Sequence, residues 1–241
     1  MVLAILQARM GSSRLPGKVL MKISGKPMLE LQIERIVRAE LIDKLVVATS
    51  ENSENNEIEN FCEKNNIECF RGSENDLLDR YYQCAKQYNP SIIVRLTGDD
   101  PLACPEVIDK MINISKNGNF DAVTNTVYPT FPEGLDATIM SFETLKKVWL
   151  SAKLAHQREH VVPYIFENED IFNIYHYKEP NDYSMFRWTV DYQSDFLFIK
   201  KIYEELYAYN NNFSSEDIYF LLKKKPELLS INSLDKRNSR L

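Results

Sequence analysis

No stretch of this chain approaches the roughly 18 consecutive apolar residues of a membrane-crossing helix, and the N-terminus lacks a basic region leading into a signal-type core. A membrane or secreted protein is therefore not expected, and the reading is cytoplasmic. Positive charge is also in short supply. Lys and Arg number 29 against 35 Asp and Glu, for a net charge of −6, which argues against duplex DNA or RNA as the main partner. The cysteines (Cys62, Cys69, Cys84 and Cys104) show no C-x-x-C spacing, so neither zinc nor a redox pair is indicated. Free buried thiols in a reducing compartment are expected instead. Internal repeats and low-complexity tracts are missing too. What is left is a chain of 241 residues, 44% hydrophobic and 27% charged, ordinary for a globular protein with one large or two small cores.

Two common phosphate signatures are absent as well. A P-loop needs Gly, four residues, then Gly-Lys-Ser/Thr; here five residues separate Gly11 from Gly17, and Val19 follows Lys18. The Gly-x-Gly-x-x-Gly of dinucleotide sites does not occur there either. Yet an apolar strand, Val2 to Leu6, runs straight into a loop that holds Arg9, Gly11, Ser12, Ser13, Arg14, Gly17 and Lys18. Glycines let the backbone approach a ligand, and serines add hydroxyl donors. Two like charges about 6 Å apart oppose each other by roughly 2 to 3 kcal/mol at an effective dielectric of about 20. A polyphosphate among these cations reverses that sign. The loop reads as a phosphate cradle, with a basic surface turn as the plainer alternative.

The first half alternates strand and helix patterns. Helices are expected over Pro27 to Arg38, Ser53 to Asn65 with Ser53 as N-cap, Asp76 to Tyr88, and Pro105 to Ser115. Strands are expected over Leu45 to Thr49, Ile67 to Phe70 and Ile92 to Leu96. Continuous apolar strands in this rhythm predict an α/β fold, a mainly parallel twisted sheet flanked by helices. Ligands of such sheets bind beyond the carboxyl ends of the strands. The second half is less regular. Strands are read at Phe120 to Asn125, Asp136 to Met140, Phe172 to Tyr177 and Phe186 to Val190. Helices are read at Phe142 to Leu154, Arg158 to Phe166, Phe196 to Tyr209 and Ser215 to Lys223. Thr126 to Leu135 reads as a loop, and Leu234 to Leu241 as a frayed tail.

Two aspartates follow strands: Asp99, after Gly98 and before Pro101, and Asp191, closing Phe-Arg-Trp-Thr-Val-Asp. Magnesium takes one or two carboxylates plus phosphate and water, so the pair supplies such a site if it meets the cationic loop. Each has a plainer alternative: a turn-forming Asp99, and Asp191 as N-cap of a helix starting near Ser194. His156 to His160 matches the H-x-x-E-H spacing of some zinc proteases, but the α/β pattern disfavours that reading. Arg158 and His160 read either as substrate-facing or as helix surface and core.

Gln7 to Lys18 resembles the opening loop of the cytidylyltransferases that make CMP-activated sugars. The chain looks most like the spore-coat polysaccharide type, relatives of CMP-KDO and CMP-acylneuraminate synthetases. Further matches run in order: Arg71 to Glu74, Asp79-Arg80-Tyr81, Arg95 to Leu102, Pro132 to Asp136, Arg158 to Val161, and Arg187 to Asp191. Gln7 departs from the Pro usual in CMP-KDO synthetases. The resemblance implies a nucleotide-diphospho-sugar transferase fold, CTP as nucleotide, Mg2+ as cofactor and a homodimer. It implies one cytidylyltransferase domain, with residues 1–125 as the nucleotide half and 126–235 as the acceptor and dimer half. Arg9 and Lys18 would grip the triphosphate, assisted by Arg14 and the Gly11–Ser13 backbone, with Thr97 also on the nucleotide. The main-chain groups of Leu6 and Ala8, with Arg71 and Ser73, would read the cytosine. Asp99 and Asp191 would hold the metal. Glu133, Asp136, Arg158 and His160 would face a sugar-like acceptor. The rival functions are a nucleotide-sugar-dependent glycosyltransferase and a non-catalytic nucleotide-binding protein.

Overall fold

The computed structural model describes residues 1–233; the tail expected to fray, 234–241, lies outside the described residues. Strand β1 (Val2–Gln7) is apolar on both faces and sits at the centre of the molecule. A short 3-10 turn (Lys18–Leu20) and a small hairpin, β2 (Lys22–Ile23) with β3 (Lys26–Pro27), lead into helix α1 (Met28–Ile36). Then come β4 (Lys44–Ser50), α2 (Asn56–Lys64), β5 (Glu68–Gly72), α3 (Leu77–Tyr88), β6 (Ile92–Thr97) and α4 (Pro105–Asn117). The second half supplies β7 (Ala122–Thr124), β8 (Thr138–Ser141), α5 (Phe142–Ser151), α6 (Ala155–His160), α7 (Pro163–Phe166), β9 (Ile174–His176), α8 (Gln193–Leu206) and α9 (Ser215–Lys224).

The main sheet has seven strands in the order β5-β4-β1-β6-β8-β7-β9, and only β8 runs antiparallel to its neighbours. The mainly parallel sheet expected from the sequence is therefore present. Strands of both halves share it. Side chains of β1 alternate between two cores: Val2, Ala4 and Leu6 pack with α1, α2 and α4, whereas Leu3 and Ile5 pack with α3 and α5. A third core gathers α8 and α9 around Trp188, Phe198 and Phe213.

Because β1 and β6 are parallel neighbours, the loops at their carboxyl ends emerge side by side. Gly98 N donates to Gln7 O at 2.7 Å, and a Cβ at Gly98 would lie 2.9 Å from that same oxygen. Only a residue without a side chain lets the two loops approach so closely.

Several boundaries differ from the sequence reading, each for a local reason. Ser53 is not the cap of α2: it opens a 3-10 turn, Ser53–Asn55, and the helix begins at Asn56. Asn55 is turned inward, donating to Ser50 Oγ at 2.7 Å and accepting from Met10 N at 2.8 Å, so it pins the cationic loop. The helix expected over 158–166 is two short pieces, because Val161 takes φ 71° and Pro163 starts a new turn. Phe186 to Val190 is not a ladder strand. It makes a single bridge, Glu133 with Arg187, and its other backbone partners are loops: Trp188 N reaches Glu133 O at 2.6 Å and Val190 N reaches Asp99 O at 2.8 Å. Helix α8 starts at Gln193, earlier than expected, because Asp195 accepts from Tyr192 N at 3.0 Å at its first turn.

Gly134 lies where this segment crosses the 126–135 loop, at φ 108°, and a Cβ there would sit 2.6 Å from Thr189 N and from Trp188 C. Left-handed strain and a backbone clash act together, so Gly134→Ala is expected to destabilise by roughly 3 kcal/mol. Thermal unfolding followed by circular dichroism should show a drop of roughly 6 to 12 °C. A drop smaller than about 2 °C would contradict the close crossing.

Candidate active site

A cleft of about 850 Å³ opens over the carboxyl ends of β1 and β6. Of the sequence-predicted residues, Ala8, Arg9, Ser12, Ser13, Arg14, Lys18, Thr97, Asp99, Glu133, Asp136, His160 and Asp191 line it. The loop after β1, the turn after β6 and the segment before α8 thus meet around one space. These elements are separated by about 80 to 180 residues in sequence, as the spacing of Lys18, Asp99 and Asp191 records.

Lys18 is the centre of this meeting. It is 7% exposed, and its Nζ donates to Asp99 Oδ2 at 3.1 Å, Asp191 Oδ1 at 3.1 Å and Val190 O at 2.6 Å. Burial alone would lower its pKa, but the two carboxylates outweigh burial and hold it above the usual lysine value. Burial alone would raise Asp191, and Asp99 adds to that; Lys18, with help from Arg14, reverses the sign and keeps the carboxyl below its usual range. Asp99 and Asp191 therefore converge on a single cationic atom.

Arg14 lies at the mouth, 3.6 Å from Asp191 Oδ2, with its Nη1 donating to Tyr192 Oη at 3.2 Å. Arg9 stands 3.7 Å from Glu74 and is half exposed. The cations of the loop thus face the cleft from one side while the aspartates face it from its floor. Thr97 Oγ1 donates to Asp100 Oδ2 at 2.6 Å, which fixes the turn that carries Asp99.

Beneath Asp191 lies a buried polar hub. Arg187 donates from Nη1 to Glu133 Oε2 at 2.6 Å, from Nη2 to Asp191 Oδ2 at 3.1 Å and Asp195 Oδ2 at 3.0 Å, and from Nε to Asp195 Oδ1 at 2.9 Å. Burial by itself would lower the Arg187 pKa, but Asp195 and Glu133 raise it, so the guanidinium stays charged. Glu133, expected to face an acceptor, lines the cleft yet is 2% exposed and held by Arg187. The capping role considered for Asp191 falls to Asp195.

Five predicted residues do not line the cleft, each for a visible reason. Leu6, expected to act through its main chain, lies inside β1 with its side chain in the core and its backbone paired with β4 and β6. Gly11 lies against Glu54, whose Oε1 would be 2.7 Å from a Cβ at that position. Arg71, on β5, is directed at Ser50 O, Asn52 O, Asn56 and Glu59, at 2.6 to 3.1 Å. Ser73 is tied up within its own turn, its carbonyl accepting from Arg80 and its Oγ from Asp76 N. Arg158, read as substrate-facing, instead joins helices: its Nε donates to Asp76 Oδ2 at 2.7 Å and its Nη1 to the carbonyls of Trp149 and Ala152 at 3.2 Å.

Arg80 and Arg95 line the cleft although the sequence reading gave them no role. Arg80 is 1% exposed; its Nε and Nη2 grip Ser73 O, while Nη1 is buried with no hydrogen-bond partner among the described residues. Its burial holds the pKa below the usual arginine value, with Glu74 opposing. Both arginines stood inside quoted motifs, so the missing information was direction, not identity. His156 and Glu159 line the cleft as well, and His156 Nε2 lies 2.6 Å from Glu167 Oε1.

The donor set suits a hard divalent ion. Asp99 and Asp191 offer carboxylate oxygens already gathered round a positive centre, and Glu133, Asp191, Asp195 and Asp99 share two buried cations, Lys18 and Arg187. Among the described residues, no group of three His, Cys, Asp or Glu is placed to hold a metal ion.

Comparison with known proteins agrees with this geometry. The sequence profile of the cytidylyltransferases matches residues 3–224. The spore coat polysaccharide biosynthesis protein SpsF of Bacillus subtilis is 31% identical over 242 residues, spanning 97% of this chain and 99% of that protein. A cytidylyltransferase structure from Leptospira borgpetersenii serovar Hardjo-bovis superposes with a TM-score of 0.90 at 35% identity, covering 98% of each chain. A CMP:2-keto-3-deoxy-manno-octonic acid synthetase complexed with CTP shares the fold, with a TM-score of 0.65 at 18% identity over 85% of this chain and 99% of that one. A mainly parallel sheet with a cationic loop and two aspartates that converge on Lys18, in a chain matched by that profile over residues 3–224, places this chain in the cytidylyltransferase family.

Proposed function

We propose that this protein transfers CMP from CTP to a hydroxyl of a sugar or sugar acid and releases pyrophosphate, in the making of a surface polysaccharide or related glycan. The observation that carries the reading is Lys18 Nζ held at 3.1 Å from both Asp99 and Asp191 beside the Arg9–Arg14 loop. An acceptor oxygen attacks the α-phosphorus of CTP in line; a new P–O bond forms, the bond to the bridging oxygen breaks, and pyrophosphate leaves with its electron pair. Little covalent chemistry falls to the protein, so positioning and charge neutralisation dominate.

Arg9, Arg14 and Lys18 would neutralise the triphosphate and the charge that builds on pyrophosphate. Ser12 and Ser13 add hydroxyl donors to the cleft lining, which also includes Ala8, Thr97 and Arg80. Asp99 and Asp191 would hold Mg2+, which supplies Lewis-acid polarisation of the phosphate and a lower pKa for the attacking hydroxyl. Glu133, Asp136 and His160 also line the cleft and would face the acceptor. The proposal retains the homodimer that the family resemblance implies, and a cytoplasmic setting.

Thermal unfolding with CTP, UTP, ATP or GTP and magnesium tests the nucleotide. A ligand at 100 times its Kd stabilises the native state by about 2.7 kcal/mol, so CTP at that excess is expected to raise Tm by roughly 5 to 10 °C and the other three by much less. Equal shifts from all four would remove the cytidine assignment. Pyrophosphate release with a panel of sugar acids then identifies the acceptor class.

A further inference from the structure

The hub beneath Asp191 is closed by a residue that lies beyond the family match. Past α9 the chain makes a short 3-10 segment, Pro226–Ile231, anchored by buried Leu228 in the third core. Asn232 follows. Its Nδ2 donates to Asp195 Oδ1 at 3.1 Å and to Arg187 O at 3.0 Å, and the residue is buried. The profile match ends at residue 224.

We propose that Asn232 is a positioning residue for the metal-holding carboxylate of Asp191. The inference rests on the assignment of Asp99 and Asp191 to a divalent ion. Beside its contacts with Lys18 and Arg14, Asp191 has two that run through Asp195. Its backbone N donates to Asp195 Oδ2 at 3.0 Å, and its Oδ2 accepts from Arg187 Nη2, whose guanidinium is itself gripped by both oxygens of Asp195. Asn232 contacts both members of this device at once, the carboxylate of Asp195 and the main chain of Arg187. A carboxamide suits the place. It donates two hydrogen bonds without adding charge to a cluster in which acids already outnumber bases, whereas a carboxylate there would face Asp195 directly. Groups that orient metal ligands change metal affinity by roughly tenfold or more when lost.

The test measures Mn2+ binding to the CTP complex by electron paramagnetic resonance of the free ion, alongside the apparent KM for Mg2+ and kcat. Asn232→Ala is expected to weaken Mn2+ binding and to raise the Mg2+ KM, each roughly tenfold, with kcat at saturating metal falling less than the affinity does. A lower Tm with unchanged metal affinity would show a purely structural residue and overturn the proposal. If Asn232→Ala does not fold, Asn232→Ser, which keeps a shorter donor, carries the same comparison and should weaken metal binding by an intermediate factor. Asp99→Asn separates the two levels of inference. If it abolishes Mn2+ binding while Asn232→Ala leaves it unchanged, only the role of Asn232 fails. If Asp99→Asn binds Mn2+–CTP as tightly as the wild type, the metal assignment fails and this proposal with it.

Discussion

Replacing Asp99 by Asn is expected to lower kcat by roughly 10² to 10³ at saturating magnesium, by analogy with losing one preorganised electrostatic group, while the protein stays folded. The two effects separate because of what surrounds the side chain. Lys18 keeps Asp191 Oδ1 and Val190 O as partners when Asp99 loses its charge. The removed charge was also a like-charge neighbour that pushed the Asp191 carboxyl up, so its loss relieves repulsion as it weakens the ion pair. A change in stability within about 1 kcal/mol is expected from these opposed effects. Steady-state kinetics beside a thermal melt measures both. A fully active Asp99→Asn protein at saturating magnesium would reject the assignment of Asp99 to the reacting phosphate.

Lys18→Met should show the opposite balance in stability, together with an equally large loss of activity. Here the cation disappears and both carboxylates stay, within a site where Lys18 and Asp191 are each below a tenth exposed as side chains. Removing one partner from a buried ion pair typically costs 3 to 5 kcal/mol; taking about 3 kcal/mol for this partly solvated cluster, Tm should fall by roughly 6 to 12 °C. Magnesium without nucleotide should restore part of that loss in the variant, because a divalent ion replaces the lost positive centre. The pH dependence fixes the sign independently. In the wild type the depressed Asp191 carboxyl contributes stability that is complete above the usual carboxylate range and is lost as pH falls through its lowered value. The raised Lys18 ammonium contributes throughout the range below the usual lysine value and is lost only as pH climbs through its raised value. In Lys18→Met the two carboxylates repel with the cation between them gone, although Asp191 keeps Arg187 and Arg14, so its deficit should be largest at neutral pH and should narrow as acid protonates them. A deficit that widens in acid would contradict the carboxylate–ammonium–carboxylate arrangement.

These expectations rest on contacts of very different legibility. The sheet was readable because parallel strands covered on both faces carry near-continuous apolar runs, as β1, β4 and β6 do at Val2–Leu6, Leu45–Ala48 and Ile92–Val94. The cationic loop was readable because Arg9, Arg14 and Lys18 lie within ten residues, so their mutual repulsion is a local fact. Asp99 was readable as a candidate from the strand it follows, and Asp191 from a strand pattern that the structure shows as a bridged loop segment. Arg71 and Arg158 show where that reasoning stops: both are charged and both fall in motifs, yet their side chains serve neighbouring loops and helices. Identity does not give direction on a strand edge or a short helix. Arg80 shows the converse, a side chain passed over in the sequence that lines the cleft and has a buried Nη1 without a hydrogen-bond partner among the described residues.

The amino-acid sequence by itself determined the layered α/β architecture, the edge of the sheet where the cleft opens, and the sign of the loop that borders it. Those properties depend on periodicity and on charges close together along the chain. Tertiary structure alone decided that Lys18 stands between Asp99 and Asp191, that Glu133 and Asp195 share Arg187, and that Asn232 reaches both Arg187 and Asp195. Each of these couples groups with tens to hundreds of residues between some of the partners. The energy of such a contact depends on distance and burial in space, which only the closed sheet and its packed helices establish.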